Sequence, residues 1–440
     1  MQHHRGMRFF FKASSMVTDL FPKAGARFLD MASLLIMGNR LLMDLTRKAA
    51  VRKLRSLQRP EKILVVADLN IGDAVNLQAA FTALRVFFPS ARLDYAITAA
   101  AMDLIAGNPE ITGIFPVFTG RPLPNKTDLK ELMRITTETD YDIVFNFCPF
   151  FDEKKHFNRP GMVIGYAAMA QRIMRDESKA ERTNHIVFQA FRFVHDLLEE
   201  AFGPRRGVVF SGVRVTIPDC AIVQAKKFLA RLEDPDNETP LIYFNPDASS
   251  IFTCVPLFSQ AALLRALCKL DCMIVLGRGH TFTNIETELL KKTPRYFHDR
   301  IKPVPASLSL EGIAALIDFC DAYVGADTGP LHIAAAKKYS LSGTFPFENR
   351  TAVYSVFGAT PSRIYGYNSD RAGYFPSNQN APSRIYEAAN PCRNMTCINK
   401  RAKTCKEIRC FEALNTEEIA NDIALHVRRN RQAFTKMAVA

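Results

Sequence analysis

Two short polar loops, each followed by an apolar helix pattern, carry the clearest functional signals in the sequence: the first suits an anion, and the second offers a general base. In DAYVGADTGPLHIAAA (residues 321–336), a strand pattern gives way to a helix pattern at Gly329 and Pro330. Proline suits the first helical turn because its missing N–H would have no partner there. The free N–H groups of that turn and the helix dipole favour a negative ligand such as a diphosphate. The alternative is an ordinary helix cap supplied by Asp327 or Thr328.

The second loop, DLNIGDA at residues 68–74, also stands between a strand pattern and a helix pattern. Its Asp73 stands at the start of the helix and could act as a general base that removes a proton from a hydroxyl group. The alternative is that Asp73 only caps the helix. His332 lies one helical turn beyond the first loop, so we expect it to face the same ligand.

Both loops belong to a chain that alternates strand and helix patterns. Continuous apolar runs such as KILVVA (62–67) and LIYFN (241–245) are typical of buried parallel strands. Helix patterns include residues 74–87 and 331–338. Two such series predict an α/β protein with two Rossmann-like, doubly wound domains, and a ligand at the carboxyl ends of the strands in the cleft between them.

We divide the 440 residues into four segments. Residues 1–60 form a basic, amphipathic helical extension with twelve Lys or Arg against three Asp or Glu. The first Rossmann-like domain covers residues 61–217, and the second covers residues 218–414. Residues 415–440 form a C-terminal helix, for which a crossing back to the first domain is open.

The extension supplies most of the net charge of +13. Its apolar stripe either packs on the body of the protein or makes peripheral contact with an anionic membrane leaflet. The sequence has no run of about 20 mostly apolar residues. It also lacks the pattern of a secretory signal. We therefore expect a cytoplasmic protein.

Four of the ten cysteines crowd the C-terminal region with the spacing C-x4-C-x7-C-x4-C: Cys392, Cys397, Cys405 and Cys410. Four thiolates can hold a structural Zn or Fe ion, and free or disulfide-paired thiols are the alternative. Lysines and arginines surround these cysteines, but no recognition helix or aromatic interleaving accompanies them. We therefore expect no nucleic-acid partner.

An ordered set of segments resembles the heptosyltransferase family (glycosyltransferase family 9) over about residues 61–430. The segments are ILVVADLNIGDAVNLQAAFTALRVFFPSARLDYAIT, IAGNPEITGIFPV, PLIYFNPDASS and SLEGIAALIDFCDAYVGADTGPLHIAAA. Members of this bacterial family move a heptose from ADP-heptose onto lipopolysaccharide core or, in some cases, protein. The resemblance implies a GT-B fold, a nucleotide-sugar donor, and inverting transfer with no cofactor or metal required for the chemistry.

The resemblance also implies roles for individual residues. Asp73 is similar to the family's catalytic base. Asp327, Thr328 and Gly329 resemble the donor-phosphate loop, with Asp327 near the sugar, and His332 resembles the histidine one turn into the following helix.

Three further donor contacts and three acceptor contacts complete the expected site. The donor contacts resemble the family's serine loop in the second domain and its apolar residue against the nucleobase: Ser249, Ser250 and Leu308. The acceptor candidates lie in the first domain: His185, Lys154 and Lys155.

One departure from the family pattern removes a positive charge. After the serine loop the family usually has a Lys and then Trp-Pro, whereas residues 253–256 read TCVP and the chain has no Trp. A leaving diphosphate needs positive charge or several oriented donors. Arg278 and Lys62 are the alternative cations nearby in the pattern.

The sequence and its resemblance to the family therefore predict an inverting glycosyltransferase (EC 2.4). Its expected donor is ADP-heptose, from which a heptose moves onto a hydroxyl of a lipopolysaccharide-core or other cell-surface glycan. The implied acceptor is a glycolipid or glycan, met in the cytoplasm or at the cytoplasmic face of the inner membrane. Two alternatives stay open: a protein O-heptosyltransferase, and a non-catalytic binding or scaffold protein with the same fold.

Overall fold

The computed structural model describes residues 40–439 except for several short segments. These segments are residues 58, 68–69, 120–123, 149–150, 152–156, 158–159, 166–167, 170–184, 206–211, 233–238, 249–252, 280–283, 344–346, 348–350, 359, 361, 370–382 and 389–408. The described residues form an α/β protein with two large parallel sheets, which confirms the predicted fold class.

The first domain is built on a five-stranded sheet in the order β3-β2-β1-β4-β5. All four strand pairs are parallel, as expected for strands that are apolar on both faces. The strands are β1 (Lys62–Val66), β2 (Arg92–Thr98), β3 (Gly113–Phe118), β4 (Ile143–Asn146) and β5 (Met162–Gly165). The helices are α1 (Arg40–Ser56), α2 (Ile71–Leu77), α3 (Ala79–Phe87), α4 (Met102–Ile105), α5 (Lys126–Glu138) and α6 (Ile186–Phe202).

The second domain is built on a six-stranded parallel sheet in the order β13-β12-β10-β7-β8-β9. Its strands are β7 (Leu241–Asn245), β8 (Met273–Leu276), β9 (Ile301–Pro303), β10 (Ala322–Gly325), β12 (Ala352–Phe357) and β13 (Ser383–Glu387). Its helices are α7 (Asp219–Leu229), α8 (Leu257–Cys268), α9 (Ile285–Lys292), α10 (Leu310–Phe319), α11 (Gly329–Ala335), α12 (Ser362–Tyr365) and α13 (Thr416–Val439). In each sheet the first strand lies in the interior. The next strands are added on one side of it and the later strands on the other side, as in doubly wound folds.

The described part of the N-terminal extension packs on the first domain. Helix α1 buries Val51 and Leu54 against the core. Arg47 is buried, and its Nε donates to Glu200 of α6 at 2.7 Å. The guanidinium of Arg55 donates to the backbone oxygen of Glu200 at 2.8 Å. The packed alternative therefore holds for α1. The residues before Arg40, to which the alternative of membrane contact also applies, lie outside the described residues.

Two helix boundaries differ from the sequence prediction. The helix predicted at residues 74–87 begins earlier, at Ile71, and is two helices that meet at Gln78. Gln78 is buried, and its amide donates to the carbonyl oxygens of Val75 and Arg214, which holds the junction.

The helix predicted at residues 331–338 ends at Ala335, and β11 (Lys337–Ser340) follows. This strand pairs in parallel with β6 (Arg214–Ile217) in a small two-stranded sheet. The helix stops because Ala336 is extended and Lys337 N donates to Val213 O at 3.1 Å.

A buried ion pair fixes β11 to the second domain. Lys338 is 2% exposed, and its Nζ lies 3.3 Å from Oδ1 of Asp318 on α10. The same Nζ donates to the carbonyl oxygen of Ala334 at 3.2 Å.

The apolar core runs without a break from the first sheet to the second, so that the two domains share one buried cluster.

The C-terminal helix α13 packs on the second domain, where Ile419 and Ile423 join the core of the six-stranded sheet. The crossing back of this helix to the first domain stays a prediction. No helix in the described part of the chain has the length and apolar character needed to cross a bilayer.

The Lys338–Asp318 pair predicts a measurable stability effect. Lys338→Met leaves a buried carboxylate without its cation, so we expect the free energy of unfolding to fall by about 3–5 kcal/mol. The double variant Lys338→Met/Asp318→Leu removes both charges and should recover most of that loss. Urea unfolding followed by circular dichroism compares them. A single variant as stable as the wild type would contradict the role of the pair.

Candidate active site

The two polar loops meet because each follows a central strand at its carboxyl end. Helix α2 begins five residues after β1, and α11 begins four residues after β10. In doubly wound sheets, the crevice at the carboxyl ends of such strands is where ligands bind. The first turn of α2 lies against the first turn of α11, so the site lies between the domains.

The contact between α2 and α11 depends on a glycine. A Cβ atom on Gly72 would lie 2.4 Å from Cδ2 of His332 and 3.2 Å from Cα of Gly329. Real Cβ atoms do not approach other heavy atoms this closely, so only glycine fits at position 72 without a shift. Packing against His332 therefore requires glycine at position 72, and the sequence pattern alone does not indicate this requirement.

Thr328 is the N-cap of α11, as the cap alternative predicted. Its Oγ1 accepts from Leu331 N at 3.4 Å. The same oxygen lies 3.3 Å from Nδ2 of Asn245 and 3.3 Å from the hydroxyl of Tyr323. The cap is therefore held from two strands, β7 and β10. The diphosphate role of residues 327–329 stays a prediction.

Asp73 is not the helix cap, since the N-cap of α2 is Asn70 and Asp73 lies within the first turn. Burial raises the pKa of Asp73 above its ordinary value. The nearby His332 lowers this pKa, and the nearby Asp327 raises it. Two carboxyl groups and one imidazole therefore share a poorly hydrated space between the helix starts.

His332 is buried and links both sides of this space. Its Nε2 lies 3.6 Å from Oδ1 of Asp327. Its Nδ1 lies 3.1 Å from Nδ2 of Asn76 on α2 and 3.0 Å from the hydroxyl of Tyr367. The Tyr367 hydroxyl also donates to Oδ1 of Asn76 at 3.3 Å. His332 thus faces Asp327 with one ring nitrogen and a polar network with the other.

Sequence reasoning missed Asn76 and Tyr367. A signal was present for Asn76, because it is one of two amides, with Gln78, in the apolar helix pattern AVNLQAAF. Buried polar side chains are normally hydrogen-bonded, so this residue required a partner. Tyr367 follows α12, far away in the chain, and nothing local in the sequence indicates its contact with His332.

His185 has no exposed surface and caps α6, where its Nδ1 accepts from Val187 N at 3.3 Å. Its ring lies 4.6 Å from the ring of Tyr367, centroid to centroid. Burial, and secondarily the charge of His332, lowers the pKa of His185 to about 3, so that it is neutral near pH 7. His185 therefore packs against Tyr367, and its role at the acceptor stays a prediction.

The two alternative cations lie at opposite edges. Lys62 opens β1 at its amino end, and its Nζ donates to Thr139 O at 3.4 Å, away from the cleft. Arg278 follows β8 at the carboxyl edge and is exposed. Its Nη1 donates to Ala306 O at 3.1 Å, beside the half-buried Leu308. Of the two, only Arg278 lies at a carboxyl edge, the kind of edge at which the two helix starts meet.

Several expected site residues lie outside the described residues: Ser249, Ser250, Lys154, Lys155, Cys392, Cys397 and Cys405. Cys410 is described and is half-buried in a short turn at Arg409–Phe411. Elsewhere in the described chain, His195, Asp196 and Glu199 of α6 bring potential metal-ligand atoms within 4.8 Å of one another. However, Arg192 already pairs with Asp196 at 3.1 Å, which weakens that group as a metal site.

Comparisons with known proteins agree with the fold. The family model of glycosyltransferase family 9 (heptosyltransferase) matches residues 171–346. A solved glycosyltransferase family 9 structure from Veillonella parvula DSM 2008 is similar at a TM-score of 0.57 and 18% identity, covering 83% of this chain and 97% of that chain. The E. coli ADP-heptose lipopolysaccharide heptosyltransferase II is similar at a TM-score of 0.57 and 15% identity, with 84% and 99% covered. Curated protein sequences give no significant match.

Fold and family match together define the class of protein: the chain is a glycosyltransferase with a GT-B fold. The match over residues 171–346 confirms its resemblance to glycosyltransferase family 9 and includes the loop at residues 325–330. The solved structures, at 15–18% identity, confirm the fold.

The glycine contact yields a stability prediction. Alanine at position 72 gains about 1 kcal/mol of helix propensity over glycine. Overpacking against His332 costs about 1–3 kcal/mol, so we expect Gly72→Ala to lower the thermal midpoint. Gly329→Ala is the matched control, because its Cβ would lie 3.5 Å from the nearest atom, Cβ of Ile71. Equal midpoints for the two variants would contradict the close contact.

Proposed function

We propose that the chain is an inverting glycosyltransferase that moves a heptose from ADP-heptose onto a hydroxyl of a lipopolysaccharide-core or other cell-surface glycan. The observation that carries this proposal is the meeting of Asp73, His332 and Asp327 between two helix starts at the carboxyl edges of two Rossmann-like sheets. The donor identity rests on the family resemblance, and the similarity to the E. coli ADP-heptose lipopolysaccharide heptosyltransferase II supports it.

Asp73 is the proposed base. Its carboxylate takes the proton of the acceptor hydroxyl while that oxygen forms a bond to the anomeric carbon. The bond between this carbon and the diphosphate oxygen breaks, and its electron pair leaves with the nucleoside diphosphate. Attack from the face opposite the leaving group inverts the anomeric centre. Burial raises the pKa of Asp73, which makes its carboxylate a better proton acceptor than an exposed one.

The start of α11 is the proposed site for the leaving diphosphate. Its first turn presents backbone N–H groups and the positive end of the helix dipole, and Thr328 holds the turn in place. Oriented donors of this kind stabilise charge that develops on a leaving group. The family usually has a lysine after the serine loop, and this chain does not. We propose that Arg278, which is exposed at the carboxyl edge of the second sheet, supplies the positive charge instead. Ser249, Ser250 and Leu308 complete the proposed donor site.

The acceptor is proposed to lie over the first domain, with Lys154 and Lys155 meeting acidic groups such as phosphorylated core sugars. Peripheral contact with the inner-membrane surface, through residues before Arg40, would bring the enzyme to a glycolipid acceptor. A structural Zn or Fe ion at the four cysteines is part of the proposal and takes no part in the transfer step.

Asp73→Asn should separate chemistry from binding. Loss of a general base costs about 10²- to 10⁴-fold in kcat, while donor affinity should stay near that of the wild type. Asp103→Asn is the matched control, because Asp103 lies in the first turn of α4 and is exposed. Transfer by Asp73→Asn at the wild-type rate, measured by release of the nucleoside diphosphate, would remove Asp73 from this role.

A donor titration distinguishes an enzyme from the alternative function, a non-catalytic binding protein. The sequence TCVP at residues 253–256, which lacks the family's Lys and Trp, favours that alternative. Calorimetry with ADP-heptose, a UDP-sugar and a GDP-sugar should show the tightest binding for ADP-heptose, and transfer to a core-glycan acceptor should follow. Binding without transfer to any glycan or protein acceptor would support the scaffold alternative. Transfer to a protein alone would identify a protein O-heptosyltransferase.

A further inference from the structure

The two central strands of the second sheet end side by side at Asn245 and Gly325. Asn245 is the last residue of β7, Gly325 is the last residue of β10, and the two are partners in the parallel pairing of these strands. A Cβ atom on Gly325 would lie 3.1 Å from Cβ of Asn245. The missing side chain at position 325 therefore leaves room for that of Asn245 between the loops that follow the two strands.

The carboxamide of Asn245 joins these two loops. Its Nδ2 donates to the backbone oxygen of Asp247 at 2.8 Å and to Oγ1 of Thr328 at 3.3 Å. Asp247 belongs to the loop after β7, and Thr328 belongs to the loop after β10. Asn245 is 7% exposed and Thr328 is 8% exposed, so water competes little for these hydrogen bonds.

The orientation of this carboxamide follows from its neighbours. A carbonyl oxygen only accepts, so the atom 2.8 Å from the backbone oxygen of Asp247 must be the amide nitrogen rather than the amide oxygen. That nitrogen has two hydrogens, and the second is available to Thr328. The Thr328 hydroxyl has two lone pairs, which accept from Asn245 and, at 3.4 Å, from Leu331 N. Every donor in this network therefore meets an acceptor.

A second buried amide holds the loop after β7 from its other side. Nε2 of Gln260, on α8, donates to the backbone oxygen of Pro246 at 2.8 Å and to that of Val255 at 2.5 Å. Pro246 and Val255 flank the serine pair at 249–250, which belongs to the proposed donor site. Both ends of this loop are therefore attached to α8.

We propose that Asn245 is a positioning residue for the donor: it ties the loop that carries Ser249 to the loop that carries Thr328, so that both loops face one diphosphate. The inference rests on the proposed function, which places the donor across these two loops. Both amide hydrogens are already used, so Asn245 has none left for a phosphate and acts through the loops. Without the tie, each loop could shift alone, and donor binding would pay for ordering both.

The test is a double-variant cycle read out as the donor Kd. Asn245→Leu keeps the approximate size of the side chain and removes both hydrogen bonds, and Thr328→Val removes the hydroxyl that accepts one of them. We expect each single variant to raise the Kd for ADP-heptose, measured by calorimetry, by about 5- to 20-fold. The double variant should bind more tightly than the product of the two single effects, because the two residues share one interaction. Thr328→Ser keeps the hydroxyl and should stay within about twofold of the wild type.

Asn108→Leu is the matched control. Asn108, in the first domain, is 4% exposed and also uses both ends of its amide, donating to Gln78 at 2.8 Å and accepting from Glu110 N at 2.9 Å. This variant should lower the thermal midpoint and leave the donor Kd unchanged. If Asn245→Leu does the same, Asn245 is only structural and the proposal is wrong. Single effects that simply multiply in the double variant would also overturn it.

Hydrogen exchange without any ligand separates this inference from the proposed function. Asn245→Leu should speed the exchange of backbone amides in residues 326–332 more than Asn108→Leu does, because the Thr328 cap loses one of its supports. Equal exchange of this segment in the two variants would overturn the inference. A wild type that binds no nucleotide sugar would instead contradict the proposed function, and the exchange would still show whether Asn245 holds Thr328.

Discussion

The geometry of the candidate site depends on one contact, between the first turns of α2 and α11 at Gly72. The two helices follow the central strands of different sheets, so this contact sets the distance between the carboxyl edges of the two domains. The ring of His332 occupies the space that a side chain at position 72 would need. Protein interiors are close-packed, so a displacement here is passed on to both domains rather than absorbed.

Closing this contact also creates the electrostatic character of the site. Asp73, Asp327 and His332 are brought together where little water remains to screen them. Interactions between charges strengthen in such a medium, and so does the cost of an unpaired charge. His332 reduces the electrostatic cost of placing the carboxyl groups of Asp73 and Asp327 close together. Hydrogen bonds to Asn76 and Tyr367 hold His332 in place. Packing at Gly72 and the protonation of Asp73 are thus parts of one arrangement.

The fold could be predicted from the sequence because buried parallel strands leave a strong signal, as in β1 and β7. Asp73 and residues 327–329 could be found because they stand between strand and helix patterns. The break at Gln78 and the strand at Lys337–Ser340 could not, because tertiary hydrogen bonds override a helical pattern there. Tyr367 was missed because its partner, His332, lies 35 residues away in the chain.

We propose that a nucleotide sugar binds where the two helix starts meet. Hydrogen exchange measured by mass spectrometry, with and without saturating ADP-heptose, tests this most directly. The account predicts slower exchange of backbone amides in both segments at once, residues 70–73 and residues 326–331. Tight donor binding that leaves both segments unchanged and protects another part of the chain would contradict it.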